Sequence, residues 1–194
     1  MNSRQIVIGL TGQMNAGKGA VVDILRQEFD FGCFSLSDRV REVAASRGAP
    51  NAARTVLQDT GNEMRRTFGG DIFARLTAGF AFVRGSERIV IDGIRNPVEV
   101  KFLREHAGFH LIALTASREK RFEWMLRRAR VDDPKTYDAF LVVDDRDLGV
   151  SEDPLGQQVG RCIEIADVVI DNNGTLNDLT ILVRRYLETI GVRN

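Results

Sequence analysis

Short apolar segments alternate along the chain with amphipathic stretches. The most regular segment is Ile6–Leu10, and a continuous apolar run of this length is typical of a strand that is buried on both faces of a sheet. Four further segments have a similar character, the last of them more weakly: 88–92, 109–114, 167–171 and 33–36. Because strands that alternate with helices form parallel sheets covered on both faces, the sequence predicts a three-layer α/β/α fold with five parallel strands.

Capping side chains predict where several helices begin. Asn96, Asp133 and Asp153 each precede a proline, and this order favours a helix whose first residue is the proline. Thr175 is followed three positions later by Asp178, which resembles a capping box with Asp in place of Glu or Gln.

Composition and charge narrow the class of protein. The chain has 27 basic and 27 acidic side chains, and this balance argues against binding to nucleic acid or an anionic membrane through bulk charge. No signal peptide is visible, and no apolar run reaches the roughly 18 residues of a membrane span. Two cysteines and two histidines are too few for a disulfide scaffold or a Cys/His zinc site. We therefore expect one cytoplasmic enzyme domain over residues 1–194, with no nucleic-acid or membrane partner.

The strongest chemical signal is a glycine-rich loop near the amino terminus. Gly12 and Gly17 lie five positions apart and are followed at once by Lys18, which is the pattern of a phosphate-binding loop. In such a loop, backbone N–H groups surround a phosphate chain, the lysine reaches the terminal phosphates, and the next helix directs its positive end towards them. We predict nucleotide contacts from the residues Gly12, Asn15, Ala16, Gly17, Lys18, Gly19 and Ala20.

The loop departs from the common pattern at its end. Gly19 stands where a serine or threonine hydroxyl usually binds magnesium, and Ala20 also lacks a hydroxyl. The sequence therefore leaves open whether metal binding and turnover are weakened. A dinucleotide-binding loop is excluded because the third glycine of its pattern is missing.

Several segments beyond the loop resemble the nucleoside monophosphate kinase superfamily. Ser37–Arg41 is similar to the G-D-x-x-R that opens the acceptor-binding helix, with Ser37 in place of the glycine, and Ile91–Arg95 is similar to D-G-F-P-R without the proline. Residues 127–133, followed by Arg146, are similar to the arginine-rich lid with its R-x-D-D. Residues 165–176 are similar to the final strand and loop of dephospho-CoA kinases and adenylate-kinase-related proteins. In this order they cover nearly the whole chain. Adenylate-kinase-type enzymes also have glycine after the loop lysine, although they follow it with threonine.

The resemblance implies a reaction and a set of roles. The reaction is magnesium-dependent transfer of the ATP γ-phosphoryl group to a nucleoside or deoxynucleoside monophosphate. A helical segment over about 37–85 would bind this acceptor, and a lid over about 131–153 would close on it. The implied residues are Lys18, Arg95, Arg128 and Arg130 for catalysis; Asp38, Arg41, Arg95 and Arg146 for the acceptor; Asn172 and Gly174, with the loop, for ATP; and Asp92 for Mg²⁺.

Two alternatives remain open at this point. One is a kinase that acts on another phosphate-bearing alcohol, as dephospho-CoA kinase does. Those enzymes usually carry a D-A-D cluster after the second strand, where Ser35–Asp38 supplies only one carboxylate. The other is a nucleotide-binding protein with weak ATPase activity, which the missing hydroxyls of Gly19 and Ala20 would explain. The sequence does not indicate the oligomeric state.

Three smaller features allow more than one interpretation. Residues 117–130 carry six basic and two acidic side chains, whereas residues 131–153 carry two basic and eight acidic ones. This switch fits either a lid over a charged ligand or ordinary surface helices. Arg65 and Arg66 contact either the acceptor or solvent. We interpret Trp124 as part of an apolar packing face and not as a platform for adenine.

Overall fold

A five-stranded sheet with helices around it forms the body of the protein, and the computed structural model describes residues 5–130, 133–150 and 153–193. The strands are β1 (Ile6–Gly12), β2 (Gly32–Ser35), β3 (Arg88–Asp92), β4 (Phe109–Thr115) and β5 (Val168–Asp171). The helices are α1 (Lys18–Phe29), α2 (Leu36–Ser46), α3 (Arg54–Phe68), α4 (Ile72–Val83), α5 (Pro97–Leu103), α6 (Arg118–Arg128), α7 (Tyr137–Leu148), α8 (Val159–Glu164) and α9 (Leu176–Thr189).

The strand order places the first strand at the centre of the sheet. The order is β2-β3-β1-β4-β5, and the strands pair in parallel. This confirms the predicted parallel sheet. In the register of the sheet, Leu10 pairs with Asp92 of β3 and Gly12 pairs with Leu114 of β4. The carboxyl end of β1, where the glycine-rich loop begins, is therefore flanked by the ends of two other strands.

Two apolar layers attach the helices to the sheet. On one face, Ile8 of β1 packs in a cluster with Leu25 of α1 and Val183 of α9. On the other face, Val7 belongs to a cluster with Phe73 of α4 and further residues of α5 and α8. Successive strand residues point to opposite faces of a sheet, so the continuous apolar run of β1 is explained by burial on both sides.

The sequence-based helix starts are confirmed at two places. Asn96 caps α5, where its side chain accepts a hydrogen bond from Val98 N at 2.9 Å and Glu99 completes a capping box. Thr175 and Asp178 form the predicted capping box of α9.

The starts predicted at Asp133–Pro134 and Asp153–Pro154 are wrong. The helix after the first pair begins at Tyr137, with Thr136 as its cap, because the Asp133 carboxylate binds the Arg128 guanidinium instead. The second pair lies in a turn before α8.

Candidate functional site

A cavity of about 790 Å³ lies at the carboxyl edge of the sheet, where open α/β sheets bind their ligands. It brings together most of the residues singled out from the sequence: Asn15, Gly17, Lys18, Gly19, Ala20, Arg41, Asp92, Arg95, Arg128, Arg130, Asn172 and Gly174. Gly12, Ala16, Asp38 and Arg146 are not among the described residues that line it.

The phosphate-binding loop (residues 12–19) has the backbone that its glycines predict. Gly12 and Gly17 adopt φ angles of 130° and 100°, a region that favours glycine. A Cβ on Gly12 would lie 2.2 Å from the Leu114 carbonyl oxygen, so glycine is also required for space. Lys18 is the first residue of α1. Its Nζ donates to the carbonyl oxygens of Gly12 at 2.7 Å and Gln13 at 2.8 Å. Its charge therefore lies inside the loop, at the positive end of the helix.

Residues distant in sequence hold this loop in place. Asn172, after β5, donates from Nδ2 to the Ala16 carbonyl oxygen at 3.0 Å. A Cβ on Gly17 would lie 2.3 Å from the same Nδ2 atom, so the close approach of Asn172 needs a glycine. Arg121 of α6 donates from Nη1 to the Met14 carbonyl oxygen at 3.1 Å. Asn172 and Arg121 thus fix the two ends of the turn that precedes Lys18.

Asp92 is the predicted magnesium ligand at the end of β3. It lines the cavity, and one carboxylate oxygen, Oδ1, is buried and accepts no hydrogen bond from the described residues. A buried oxygen of this kind needs a partner, and carboxylate oxygen suits Mg²⁺. In the described part of the chain, no group of three or more His, Cys, Asp and Glu could hold a metal ion. Asp92 could therefore contribute one oxygen ligand to a magnesium ion, and the remaining ligands would have to come from groups other than protein carboxylates.

Arg95 lines the cavity and is held by a buried carboxylate. Its Nη1 pairs with Oδ1 of Asp147 on α7, whose side chain is 2% exposed. The Gln157 side-chain amide is oriented so that both its nitrogen and its oxygen form hydrogen bonds. Its nitrogen donates to Asp147 Oδ1 at 3.0 Å, and its oxygen accepts from Arg95 Nη1 at 3.3 Å. The same amide lies 2.9 Å from Nε2 of Gln58 on α3.

Arg65 lines the cavity and forms a second buried ion pair. Its Nε and Nη2 donate to Glu99 Oε1 at 3.1 and 2.9 Å, and its guanidinium lies 5.4 Å from the centre of the Phe73 ring. Glu99 Oε2 accepts from the backbone N–H groups of Arg95 at 2.7 Å and Asn96 at 3.1 Å. One buried carboxylate therefore orients both Arg65 and the backbone of Arg95.

The other predicted acceptor residues lie nearer the surface. Arg41 lines the cavity and pairs with Asp38 at 3.4 Å, with both side chains more than half exposed. Asp38 therefore lies beside the predicted acceptor residue Arg41 but is not among the described residues that line the cavity. Arg146 pairs with Asp59 at 2.7 Å, which joins α7 to α3 in the segment predicted to bind the acceptor.

The two lid arginines differ in their surroundings. Arg128 donates to both oxygens of Asp133, from Nη2 at 2.8 and 2.7 Å and from Nε at 3.3 Å. The Arg130 side chain lines the cavity and makes no ion pair within the described ranges. Val131 and Asp132, which belong to the predicted R-x-D-D, lie outside the described residues.

The charge switch is explained by pairing between α6 and α7. Arg118 and Arg121 of the basic helix both contact Asp144 of the acidic one, and Arg118 also pairs with Asp145. Phe140 of α7 is buried against Met14 of the loop in a small apolar cluster. In this structure α7 is therefore packed on the body, and closure of residues 131–153 over a ligand stays a prediction.

Trp124 occupies a different place from the one we predicted. Phe122 and Met125 pack in the apolar cluster of α6 and α7 as expected, but Trp124 lines the cavity and Leu126 is 48% exposed. The helical periodicity alone could not separate these faces, because four apolar residues in five positions cover more than one side of a helix.

Sequence reasoning missed the buried partners of the arginines. Glu99 had a local signal, since it lies three positions after the capping residue Asn96. Asp144 and Asp147 are spaced three apart in the acidic segment, as Arg118 and Arg121 are in the basic one. That spacing puts each pair on one helix face, and it could have suggested that the two segments face each other.

Comparisons with known proteins agree with this geometry. The family model described as an AAA domain matches residues 11–139. A UPF0200 protein of Pyrococcus horikoshii is 33% identical over 192 residues, covering 95% of this chain and 97% of the relative. One from Methanocaldococcus jannaschii is 30% identical over 187 residues, covering 95% and 90%. The chain belongs to the AAA-domain and UPF0200 families.

Several solved structures share the fold of this chain at low sequence identity. A protein of Thermus thermophilus superposes with a TM-score of 0.62 at 18% identity, covering 96% of this chain and 98% of the other. Shikimate kinase from Bacteroides thetaiotaomicron gives 0.57 at 14% identity, covering 95% and 98%. A gluconokinase from Sinorhizobium meliloti gives 0.55 at 17% identity, covering 96% of each chain. The predicted fold class is confirmed as the P-loop kinase fold. No described helix combines the length and apolar character needed to cross a membrane.

Proposed function

We propose that this protein is an ATP-dependent kinase whose acceptor is a nucleoside or deoxynucleoside monophosphate. The observation that carries the proposal is one cavity that contains both Lys18 of the phosphate-binding loop and the arginines Arg41, Arg65 and Arg95. Phosphoryl transfer between two anionic substrates depends mainly on alignment and on stabilising the charge of the moving group. Cations that reach one cavity from separate segments meet that requirement.

The acceptor side supports a ligand with a ring as well as a phosphate. Val40, Leu57 and Gly61 give its wall an apolar part, and the buried Gln58 and Gln157 amides lie beside it. Apolar surface with a few placed polar groups is typical of small-molecule sites. Arg41 and Arg95 hold the acceptor phosphate.

The donor side supports ATP. The loop amides and Lys18 hold the β- and γ-phosphates, and Arg128 and Arg130 stabilise the transferring group. Trp124, Gly174 and Asn172 line the same cavity and form the wall next to the nucleoside. Asp92 would hold Mg²⁺, which neutralises phosphate charge when bound.

A second candidate is a kinase for an alcohol, including a dephospho-CoA-type acceptor. Ser35, Ser37 and Asp92 line the cavity, and a carboxylate with an unsatisfied oxygen could accept the proton of a hydroxyl. Structures named shikimate kinase and gluconokinase share the fold. A third candidate is a nucleotide-binding protein with weak ATPase activity, supported by the missing hydroxyls at Gly19 and Ala20.

One assay separates these candidates. Trp124 is the only tryptophan in the chain, so its fluorescence reports binding of Mg²⁺-ATP, with Trp124→Phe as the control without signal. The protein is then incubated with ATP and a panel of monophosphates, dephospho-CoA and small alcohols, and the products are separated. A new nucleoside diphosphate supports the first candidate, and a phosphorylated alcohol with ADP supports the second. Binding of ATP without transfer to any acceptor supports the third and contradicts the kinase proposal.

A further inference from the structure

The guanidinium of Arg95 is bound on one side and available on the other. Nη1 pairs with Asp147, while Nε and Nη2 make no hydrogen bond or ion pair within residues 5–130, 133–150 and 153–193. The Nε–Nη2 edge is one of the two edges through which arginine grips a phosphate or carboxylate in a bidentate manner. Arg128 is the opposite case, because Asp133 occupies its Nε and Nη2.

Asp147 is itself shielded from any ligand. Its side chain is 2% exposed and it is not among the described residues that line the cavity. Its Oδ1 contacts the Arg95 guanidinium and the Gln157 amide. A carboxylate in this position can act on an acceptor only through the side chains that it orients.

The helix that carries Asp147 also reaches the donor side. Asp144, one helical turn earlier, binds Arg121 with Nη2 to Oδ2 at 2.9 Å. Arg121 in turn donates to the Met14 carbonyl oxygen of the phosphate-binding loop at 3.1 Å. Residues three apart lie on the same face of a helix, so one face of α7 holds both Arg121, the α6 arginine that contacts the loop, and Arg95.

We propose that Asp147 is a positioning residue, which orients the Arg95 guanidinium so that its Nε–Nη2 edge faces the acceptor. Helix α7 also binds the phosphate-binding loop through Asp144 and Arg121, and it thereby aligns the Arg95 edge with the loop. The proposal rests on the proposed kinase function, because it assigns the Arg95 edge to the acceptor. Small misplacements of a binding group cost large factors in rate, which gives a fixed arginine an advantage over a mobile one.

A double-mutant cycle tests the positioning role. Asp147→Asn should raise the acceptor KM about 10-fold in the wild-type background, with ATP affinity from Trp124 fluorescence unchanged. In the Arg95→Ala background, the same substitution should change the acceptor KM by less than about twofold, because the group that Asp147 orients is gone. Asp145→Asn is the matched control, since Asp145 lies on α7 and pairs with the exposed Arg118. Equal losses in both backgrounds, or an equal loss of ATP affinity, would overturn the proposal.

A second measurement does not depend on turnover. A guanidinium held by a charged partner rotates slowly about its Nε–Cζ bond, so the Nη signals of Arg95 should be resolved by NMR and vanish in Arg95→Ala. They should merge in Asp147→Asn and stay resolved in Asp145→Asn. Unchanged Arg95 signals in Asp147→Asn contradict the inference. A wild-type protein that phosphorylates no acceptor contradicts the proposed function instead, and the NMR result then decides the role of Asp147 alone.

Discussion

The two sides of the cavity, which we propose bind the donor and the acceptor, are built in different ways. The donor side is a contiguous stretch, residues 12–20, in which glycine backbone and Lys18 supply the chemistry. The proposed acceptor side includes two arginines held by carboxylates from distant parts of the chain, in the pairs Arg65–Glu99 and Arg95–Asp147. Stability and ligand binding should therefore be separable on the donor side and linked on the acceptor side.

We expect this difference because the charged side chains of the two sides have different partners and different burial. Lys18 donates to two loop carbonyl oxygens, which carry no net charge. Glu99, by contrast, is completely buried, and a buried charge whose partner is lost is strongly destabilising. Arg65, which pairs with Glu99, thus belongs to the folded core as well as to the cavity.

The largest expected effect is on folding stability. Glu99→Ala leaves Arg65 buried without its partner and removes the acceptor of two backbone N–H groups, so we expect a loss of about 3–5 kcal/mol in the free energy of unfolding. Urea denaturation measures this loss. Glu63→Ala is the control, because Glu63 forms an exposed pair with Arg47 and should change stability little. Similar midpoints for the two variants would show that the acceptor side is not part of the core.

The second largest expected effect is on kcat and ATP binding, with no change in folding stability. Lys18→Ala removes a charge aimed at the donor phosphates, so we expect a loss of about 10²- to 10³-fold in kcat and weaker ATP binding at an unchanged unfolding midpoint. Lys101→Ala, on the exposed side of α5, is the matched control. Normal turnover of a folded Lys18→Ala protein would exclude the loop mechanism.

A third test compares the two acceptor arginines. Arg41→Ala and Arg95→Ala should each remove a charge-assisted contact worth about 1.5–3 kcal/mol, or roughly 10- to 150-fold in acceptor KM, with little change in ATP affinity. Steady-state kinetics in both substrates and calorimetry with ATP measure this split. Arg39→Ala, on the same helix as Arg41 but outside the cavity, should behave as wild type. If ATP weakened as much as the acceptor, these arginines would be structural.

The difference between a contiguous loop and arginines with distant partners also explains which features could be predicted from the sequence. The strands and the loop follow from local patterns, and the structure places them within a few residues of the predicted bounds. The partners of the arginines could not be found in this way, because Arg65 and Glu99 are 34 positions apart and Arg95 and Asp147 are 52 apart. The helix predicted at Pro134 failed for a different, local reason, since Arg128, five positions earlier, engages the carboxylate of Asp133 that was expected to cap it.

The smallest expected effect concerns the metal. Gly19 has no positive φ, and a Cβ there would meet nothing within 4 Å, so Gly19→Ser adds a hydroxyl beside Lys18 without strain. If Asp92 and the loop share Mg²⁺ with the phosphates, this hydroxyl should strengthen Mg²⁺-dependent ATP binding by a few-fold, corresponding to about 0.5–1 kcal/mol. Titration of Trp124 fluorescence with ATP, with and without Mg²⁺, measures the difference.

Gly79→Ser is the matched control for that titration. Gly79 is also a helical glycine with open space around a Cβ, but it lies on α4 and is not among the described residues that line the cavity. Both substitutions should raise the unfolding temperature slightly, because serine is a better helix former than glycine, whereas only Gly19→Ser should change the Mg²⁺ dependence. Identical Mg²⁺ dependence in the two variants would mean that the metal lies out of reach of position 19. Any Mg²⁺ would then be held by Asp92 and the phosphates, and position 19 would contribute only its backbone to the donor side.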